Sequence, residues 1–272
     1  MEHKTLQPSL VYPIALCLLV VAIATPLSPA EGQSQDEELQ MGQEVLNQLK
    51  AKGEIIESSP LYDQLRPIAD AITRVAQPRY NHPFKFYLVH ETQPNAFATP
   101  GGNVYVVDSL LYFVKNTEQV AGTLCHEVSH TIHHDTMTLM EKQEKLEKRE
   151  VGAAVLLGPS RAHILAILLL GKLHSLSYSR DVESRADLTG SYICAAGGYN
   201  PWGLVWLFQD FKHANLTNYR SSCRITLTIS TGSMLWSGIS VKILRPSLGL
   251  PPDPKSAKPF SAPKNAPETF LH

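Results

Sequence analysis

The sequence predicts a mostly helical chain with a small sheet. Three observations carry the prediction. Apolar residues recur at helical spacing in several separate stretches. Only two short runs, Phe84–His90 and Asn103–Val107, alternate as half-buried strands do. Between the second of these runs and the middle of the chain lies Leu124–Asp135, LCHEVSHTIHHD, whose two leading histidines stand four residues apart.

The elements follow in order. From Asp36 to Lys50 the apolar positions Leu39, Val45, Leu46 and Leu49 mark a helix that Gly53 ends. Leu61 to Val75 reads as a second helix, with Pro67 near its start. The strands Phe84–His90 and Asn103–Val107 come next, the latter just after Gly101-Gly102. Glu118 to His134 is the helix that carries the two histidines. The charged run Met140–Glu150 predicts a solvated helical face. Val151–Leu170 is apolar but broken by Gly158, Pro159, Arg161 and His163, which favours a buried helix or lid over membrane insertion. Ser179–Ala196 is helical and closed by Gly197-Gly198, Asn200-Pro201 is a turn, and Trp202–Phe211 is a further short helix. No internal repeat is present.

Length and charge narrow the function classes. With 272 residues the chain holds one or two domains, and a net charge of −1 offers no electrostatic grip on nucleic acid. Residues 1–30 follow the plan of a secretory signal peptide: Lys4, an uncharged run from Val11 to Ala24, then small residues ending Ser28-Pro29-Ala30. An uncleaved anchor is the alternative, while Cys17 lies too deep in the apolar run for a lipoprotein cut. Export would leave Cys125, Cys194 and Cys223, an odd number with no evident disulfide framework. The domain reading is residues 1–30 signal peptide, 31–250 one folded domain in which 221–250 is atypical, and 251–272 a Pro-rich tail without a core of its own, running extended over the surface.

Chemistry concentrates in the middle of the chain. Residues four apart share one helix face, so His126 and His130 can reach one ion. Glu127 then stands beside the open coordination position, where a base can take a proton from activated water. A catalytic zinc site takes three protein ligands, and Glu183 in YSRDVESRADLTG is the best third candidate. Asp187, one turn on, can accept a hydrogen bond from the outer nitrogen of a ligating histidine. The alternative is a salt-bridged surface face made of Arg180, Asp181, Glu183, Arg185 and Asp187. His133 and His134 are expected to lie off the ligand set, and Cys125 to serve packing.

HEVSH at His126–His130, ESRAD at Glu183–Asp187 and NAFATPGGNVYVVDSLL at Asn95–Leu111 together resemble the M48 family of zinc metallopeptidases. The three blocks stand in the family's order, and the resemblance spans roughly Glu31 to Lys212. It implies an α+β zincin-like fold, one Zn²⁺ held by His126, His130 and Glu183, and Glu127 as general base. It also implies exported endopeptidase action on protein or peptide substrates, unfolded or misassembled envelope proteins among them. Asn95, Gly101, Gly102 and Asn103 become candidate substrate-binding residues, with a peptide added as a strand along Asn103–Val107. A proteolytically impaired client-binding protein of the same fold is the alternative, and purely structural zinc a third reading. Peripheral membrane association is allowed; substrate identity and oligomeric state stay open.

Ser221–Leu250 departs from the family, whose exported members resemble His-Pro-x-x-x-x-Arg-Ile followed by a helix at this place. Moving the reading frame back one base allows that pattern. One consistent set of synonymous codons from Ser222 onward reads Leu-Ser-Asp-His-Pro-Asn-Asp-Gln-His-Arg, then Ile-Asp-Ala-Leu-Glu-Arg. The expectation is two compensating frameshifts, in the gene or in its determined sequence, flanking the stretch. Reading the coding DNA is expected to show the His-Pro…Arg-Ile codons in the alternative frame; other codons there refute the idea.

Overall fold

A four-stranded sheet separates two apolar layers, and its strand order explains where a cleft can form. The computed structural model describes residues 30–151, 166, 169, 178–214, 216, 227–230, 233–236, 239–240 and 253–260. The chain divides into two units at Ser34; of the first, only Ala30–Ser34, the start of the first helix, is described. The expected signal peptide otherwise lies outside the described residues.

Helix α1 (Ala30–Ala51) buries Met41, Val45, Leu46 and Leu49, spaced to share one face. Leu39 is exposed, so the apolar stripe runs through Met41 and not, as the sequence suggested, through Leu39. Strand β1 (Ile55–Ile56), helix α2 (Leu61–Ala76) and strands β2 (Lys85–Val89), β3 (Ala96–Thr99) and β4 (Asn103–Val107) follow. The sheet order is β1-β2-β4-β3, with β4 parallel to β2 and antiparallel to β3. The α+β fold is as expected. Strand β3, Ala-Phe-Ala-Thr, escaped the sequence reading because its two alanines carry little strand preference.

The pleat sends alternate side chains to opposite layers. Val104 and Val106 join Leu88, Ala96 and Ala98 in a core shared with α2 and the later helices. Tyr105 faces the other way, with Phe97 and Val89, onto α1. Ala166 and Leu169 are fully buried in this second layer, beside Met137 and Met140. That fits the buried-helix reading of Val151–Leu170, the rest of which lies outside the described residues. No helix of the described residues is long and apolar enough to cross a membrane.

Helix α3 (Asp108–Phe113) leads into α4 (Thr117–Ile132), which carries the two histidines. Asn116 caps α4: its side chain accepts from the Gln119 N–H at 3.0 Å, and the Gln119 side chain accepts from the Asn116 N–H. Helix α5 (Asp135–Val151) follows, then α6 (Arg180–Ala196) and α7 (Gly203–His213). Met140 and Glu144 are buried, so the charged run is an amphipathic helix with one covered face.

Two expectations are corrected here. Strand β4 is flanked by β2 and β3, so its backbone groups are already paired and no peptide can add along Asn103–Val107. The Pro-rich tail is not merely draped. Phe260 is buried in the main core, its N–H donates to the Lys115 carbonyl, and the Thr117 N–H donates to the Lys258 carbonyl. Within Ser221–Leu250 the described residues form a separate antiparallel sheet of β5 (Leu227–Ser230), β6 (Ser233–Trp236) and β7 (Ile239–Ser240). A Thr/Ser/Ile-rich stretch suits strands.

Past the C-terminal end of α4, the His134 side chain meets the buried Glu38 of α1, which also accepts from the Tyr80 hydroxyl at 2.7 Å. The Glu38 hydrogen bond raises the His134 pKa. The charged pair therefore stabilises the fold fully below the ordinary histidine pKa and fades as pH rises through the raised one. His134→Asn, which tolerates the same backbone, is expected to lower the melting temperature by a few degrees at pH 5.5 and by less at pH 9. Equal losses at both values refute the ion pair.

Candidate metal centre

Helices α4 and α6 pack face to face. Along α6 the residues Glu183, Asp187, Gly190 and Cys194 recur at helical spacing, and all are buried or packed on α4. Gly190 permits the approach: a Cβ there would sit 3.0 Å from the Cys125 carbonyl and 3.2 Å from the His126 Cα. One turn past Gly190 on α6, Cys194 forms a disulfide with Cys125, the Cα atoms 5.8 Å apart. This corrects the reading of Cys125 as packing alone, and it supplies a disulfide where the sequence made none evident. The bond was not legible because it joins residues 69 apart in sequence that only the helix packing brings together.

The packing places His126, His130 and Glu183 so that one ligand atom of each lies within 4.8 Å of the others, all three side chains being buried. The two histidine Nε2 atoms are 3.0 Å apart, and a Glu183 carboxylate oxygen lies 3.5 Å from His126 and 3.8 Å from His130. Ligands of a tetrahedral zinc sit roughly 3.3 Å from one another. The triad fits such an ion.

Proton placement strengthens the fit. Asp187 lies 3.0 Å from the His126 Nδ1, the role expected from its position one turn past Glu183. Asp135 lies 2.9 Å from the His130 Nδ1, which the sequence did not suggest. With both Nδ1 atoms donating to carboxylates, both Nε2 atoms present lone pairs to each other. A cation between them turns that repulsion into coordination. The acidic surroundings agree: Glu127, Asp135, Glu183 and Asp187 converge on two imidazoles, with Arg185 bonded to Asp135.

Glu127 is part-buried, next to the triad, and the Ala98 N–H of β3 donates to its carboxylate. Burial raises its pKa, against the lowering pull of His126 and His130. Burial likewise raises Asp187, opposed by its His126 contact. Tyr178 stacks on the His130 ring at 4.4 Å, and its hydroxyl shares a 2.8 Å hydrogen bond with Thr136. Nothing in sequence spacing marked Tyr178, because the stack joins α4 to a residue outside any helix.

The remaining candidates lie elsewhere. His133 reaches Thr189, and His134 reaches Glu38, so neither joins the triad. Gly101 and Gly102 hold left-handed backbones, φ +80° and +86°, and pack against α1 and Pro83. The Gly101 N–H donates to the Tyr80 hydroxyl and the Asn103 side chain to the Gly42 carbonyl, which ties this turn to α1. Asn95 caps the start of β3, accepting from the Ala96 N–H at 2.9 Å.

Replacing Glu183 with alanine is expected to abolish stoichiometric divalent-metal binding while the helical circular dichroism is kept. Unchanged metal content by plasma emission removes Glu183 from the ligand set.

Comparison with known proteins agrees with this geometry. The family described as peptidase family M48 matches residues 61–246, through most of the atypical Ser221–Leu250 stretch. The chain is 28% identical over 196 residues to a beta-barrel assembly-enhancing protease of Yersinia pestis, covering 69% of this chain and 40% of the relative. It is 27% identical over 173 residues to the protein of that name from Escherichia coli K12, covering 61% of this chain and 35% of the relative. It is 31% identical over 108 residues to the mitochondrial metalloendopeptidase OMA1 of Saccharomyces cerevisiae, covering 40% of this chain and 30% of the relative. The matches thus span less than half the length of these curated relatives. A family match over more than half of the chain, with the metal triad assembled inside it, establishes that the chain belongs to metallopeptidase family M48.

Proposed function

We propose that this chain is an exported zinc endopeptidase acting on unfolded or misassembled envelope proteins. The observation that carries the proposal is Glu127, held by the Ala98 N–H beside the buried triad of His126, His130 and Glu183. Zinc bound by that triad supplies the Lewis acidity that brings a water's pKa to about 7. Glu127 accepts the proton of the attacking water and delivers it to the leaving amine. Its raised pKa suits both steps, since a carboxylate nearer neutrality passes protons in either direction with little free-energy cost.

Substrate approach follows from the sheet. Strand β3 is the outer strand on the α4 side, so an extended peptide pairs with β3, close to Asn95 and Glu127. That replaces pairing along Asn103–Val107. Export is supported by the N-terminal apolar run and by the Cys125–Cys194 disulfide, a bond that persists in oxidising compartments. The names of the bacterial relatives support envelope substrates.

The test is cleavage of casein or an unfolded peptide, with and without a chelator. Wild type is expected to cleave, chelator to abolish it, and Glu127→Gln to lower turnover about 10²- to 10⁴-fold. Zinc bound with no cleavage above the Glu127→Gln level favours a client-holding protein, the reading that the atypical Ser221–Leu250 segment motivates.

A further inference from the structure

The end of α4 carries a residue that the family motif leaves without a task. The helix stops at Ile132, and His134 takes a left-handed backbone, φ +54°, before α5 starts at Asp135. Such a conformation is uncommon for a residue with a side chain. Its effect is specific. Had α4 run on, residue 135 would stand about 140° around the helix from His130. The break turns the chain back instead, and an Asp135 oxygen arrives 2.9 Å from the His130 Nδ1. Glu38, bonded to His134, holds the break from the α1 side.

The other Asp135 oxygen is bonded to Arg185 of α6. The Asp135 side chain is 2% exposed, and Arg185 is 48% exposed. The aspartate is thus locked at both oxygens inside the protein, while the guanidinium keeps part of its hydration. Arg185 also balances a fourth carboxylate in a site that already holds Glu127, Glu183 and Asp187. Without that balance, burying Asp135 there would be costly.

We propose that Asp135, oriented by Arg185, is the positioning residue for His130: it keeps the proton on Nδ1 and the lone pair of Nε2 aimed at the triad. Asp187 does the same for His126 from α6. The two imidazoles are therefore fixed from different elements, and the Arg185–Asp135–His130 chain couples the ligand-bearing α6 to the second histidine of α4. Tyr178, stacked on the His130 ring, fixes the ring plane and leaves its tautomer to Asp135.

This inference rests on the metallopeptidase reading, and its test reads metal affinity, not turnover. Zinc dissociation constants of the purified full chain are measured by chelator competition, with apo-protein melting recorded in parallel. Asp135→Ala is expected to weaken zinc about 10- to 100-fold, the usual effect of removing a partner of a ligating histidine. Asp135→Asn, which keeps an acceptor without the charge, is expected to fall between wild type and Asp135→Ala. Arg185→Gln, which leaves Asp135 in place, is expected to lose less than Asp135→Ala. The cobalt-substituted protein is expected to show a shifted visible spectrum in Asp135→Asn. An affinity within twofold of wild type for Asp135→Ala overturns the proposal, whatever happens to apo melting. So does an Arg185→Gln loss larger than that of Asp135→Ala. Should Asp135→Ala fail to fold, Asp135→Asn and Arg185→Gln decide: both within twofold overturns it. A wild-type chain that binds no zinc sinks the metallopeptidase reading itself, which distinguishes the two failures.

Discussion

The close approach of α4 and α6 is the constraint on which the site depends. Three of its metal-facing or metal-supporting groups sit on one helix and two on the other, so a shift of either helix opens the triad. Gly190 removes the side chain that would hold them apart, and its Cβ-free surface lies on the backbone of Cys125 and His126. The Cys125–Cys194 bond closes the same face about one turn further along α6. On the other side of Gly190, about one turn back along α6, Asp187 lies 3.0 Å from the His126 Nδ1 across the interface. Packing, covalent link and ligand support thus occupy a single stripe of α6.

Helix α4 is also held at both ends. At its N-terminus the Asn116–Gln119 capping box satisfies the first backbone donors, and the Thr117 N–H is taken up by the tail carbonyl of Lys258. The Gln119 side chain donates in addition to Asp210 of α7 at 2.7 Å. At its C-terminus the left-handed His134 ties back to Glu38 of α1. Segments far apart in the chain, α1 and the Pro-rich tail, therefore converge on the one helix that bears His126, Glu127 and His130. A metal site needs its ligands held to within fractions of an ångström, and anchoring the helix at both ends meets that need.

Charge explains why the site is polar inside an apolar fold. Four carboxylates gather around two histidines, and burial pushes Glu127 and Asp187 toward their neutral forms. Such a cluster is unfavourable in a dry interior unless a cation compensates it. Arg185 compensates part of it from the rim, through Asp135. The arrangement of lone pairs at the two Nε2 atoms defines where the rest of the positive charge belongs.

The motif helix, the third member of the candidate metal triad and the His126 partner were legible in the sequence because each depends on spacing within one helix. A four-residue step places His126 beside His130, and the same step places Asp187 beside Glu183, wherever α4 and α6 end up. The strands Phe84–His90 and Asn103–Val107 were legible for the same local reason, alternation along one segment. What spacing could not reveal was everything made by contact between segments. Asp135 reaches His130 only because His134 breaks the helix, and a regular helix would have carried it away. Cys125 meets Cys194 only because Gly190 lets two helices touch. Strand β4 is closed to substrate because β3, short and alanine-rich, pairs on its outer side, and Phe260 reaches the core from a tail whose composition suggests none. By itself the sequence determined which side chains could share one metal ion, since their spacing within a helix is local. The tertiary structure alone decided how these side chains are oriented and which strand stands at the edge of the sheet, since those depend on neighbours that are distant along the chain.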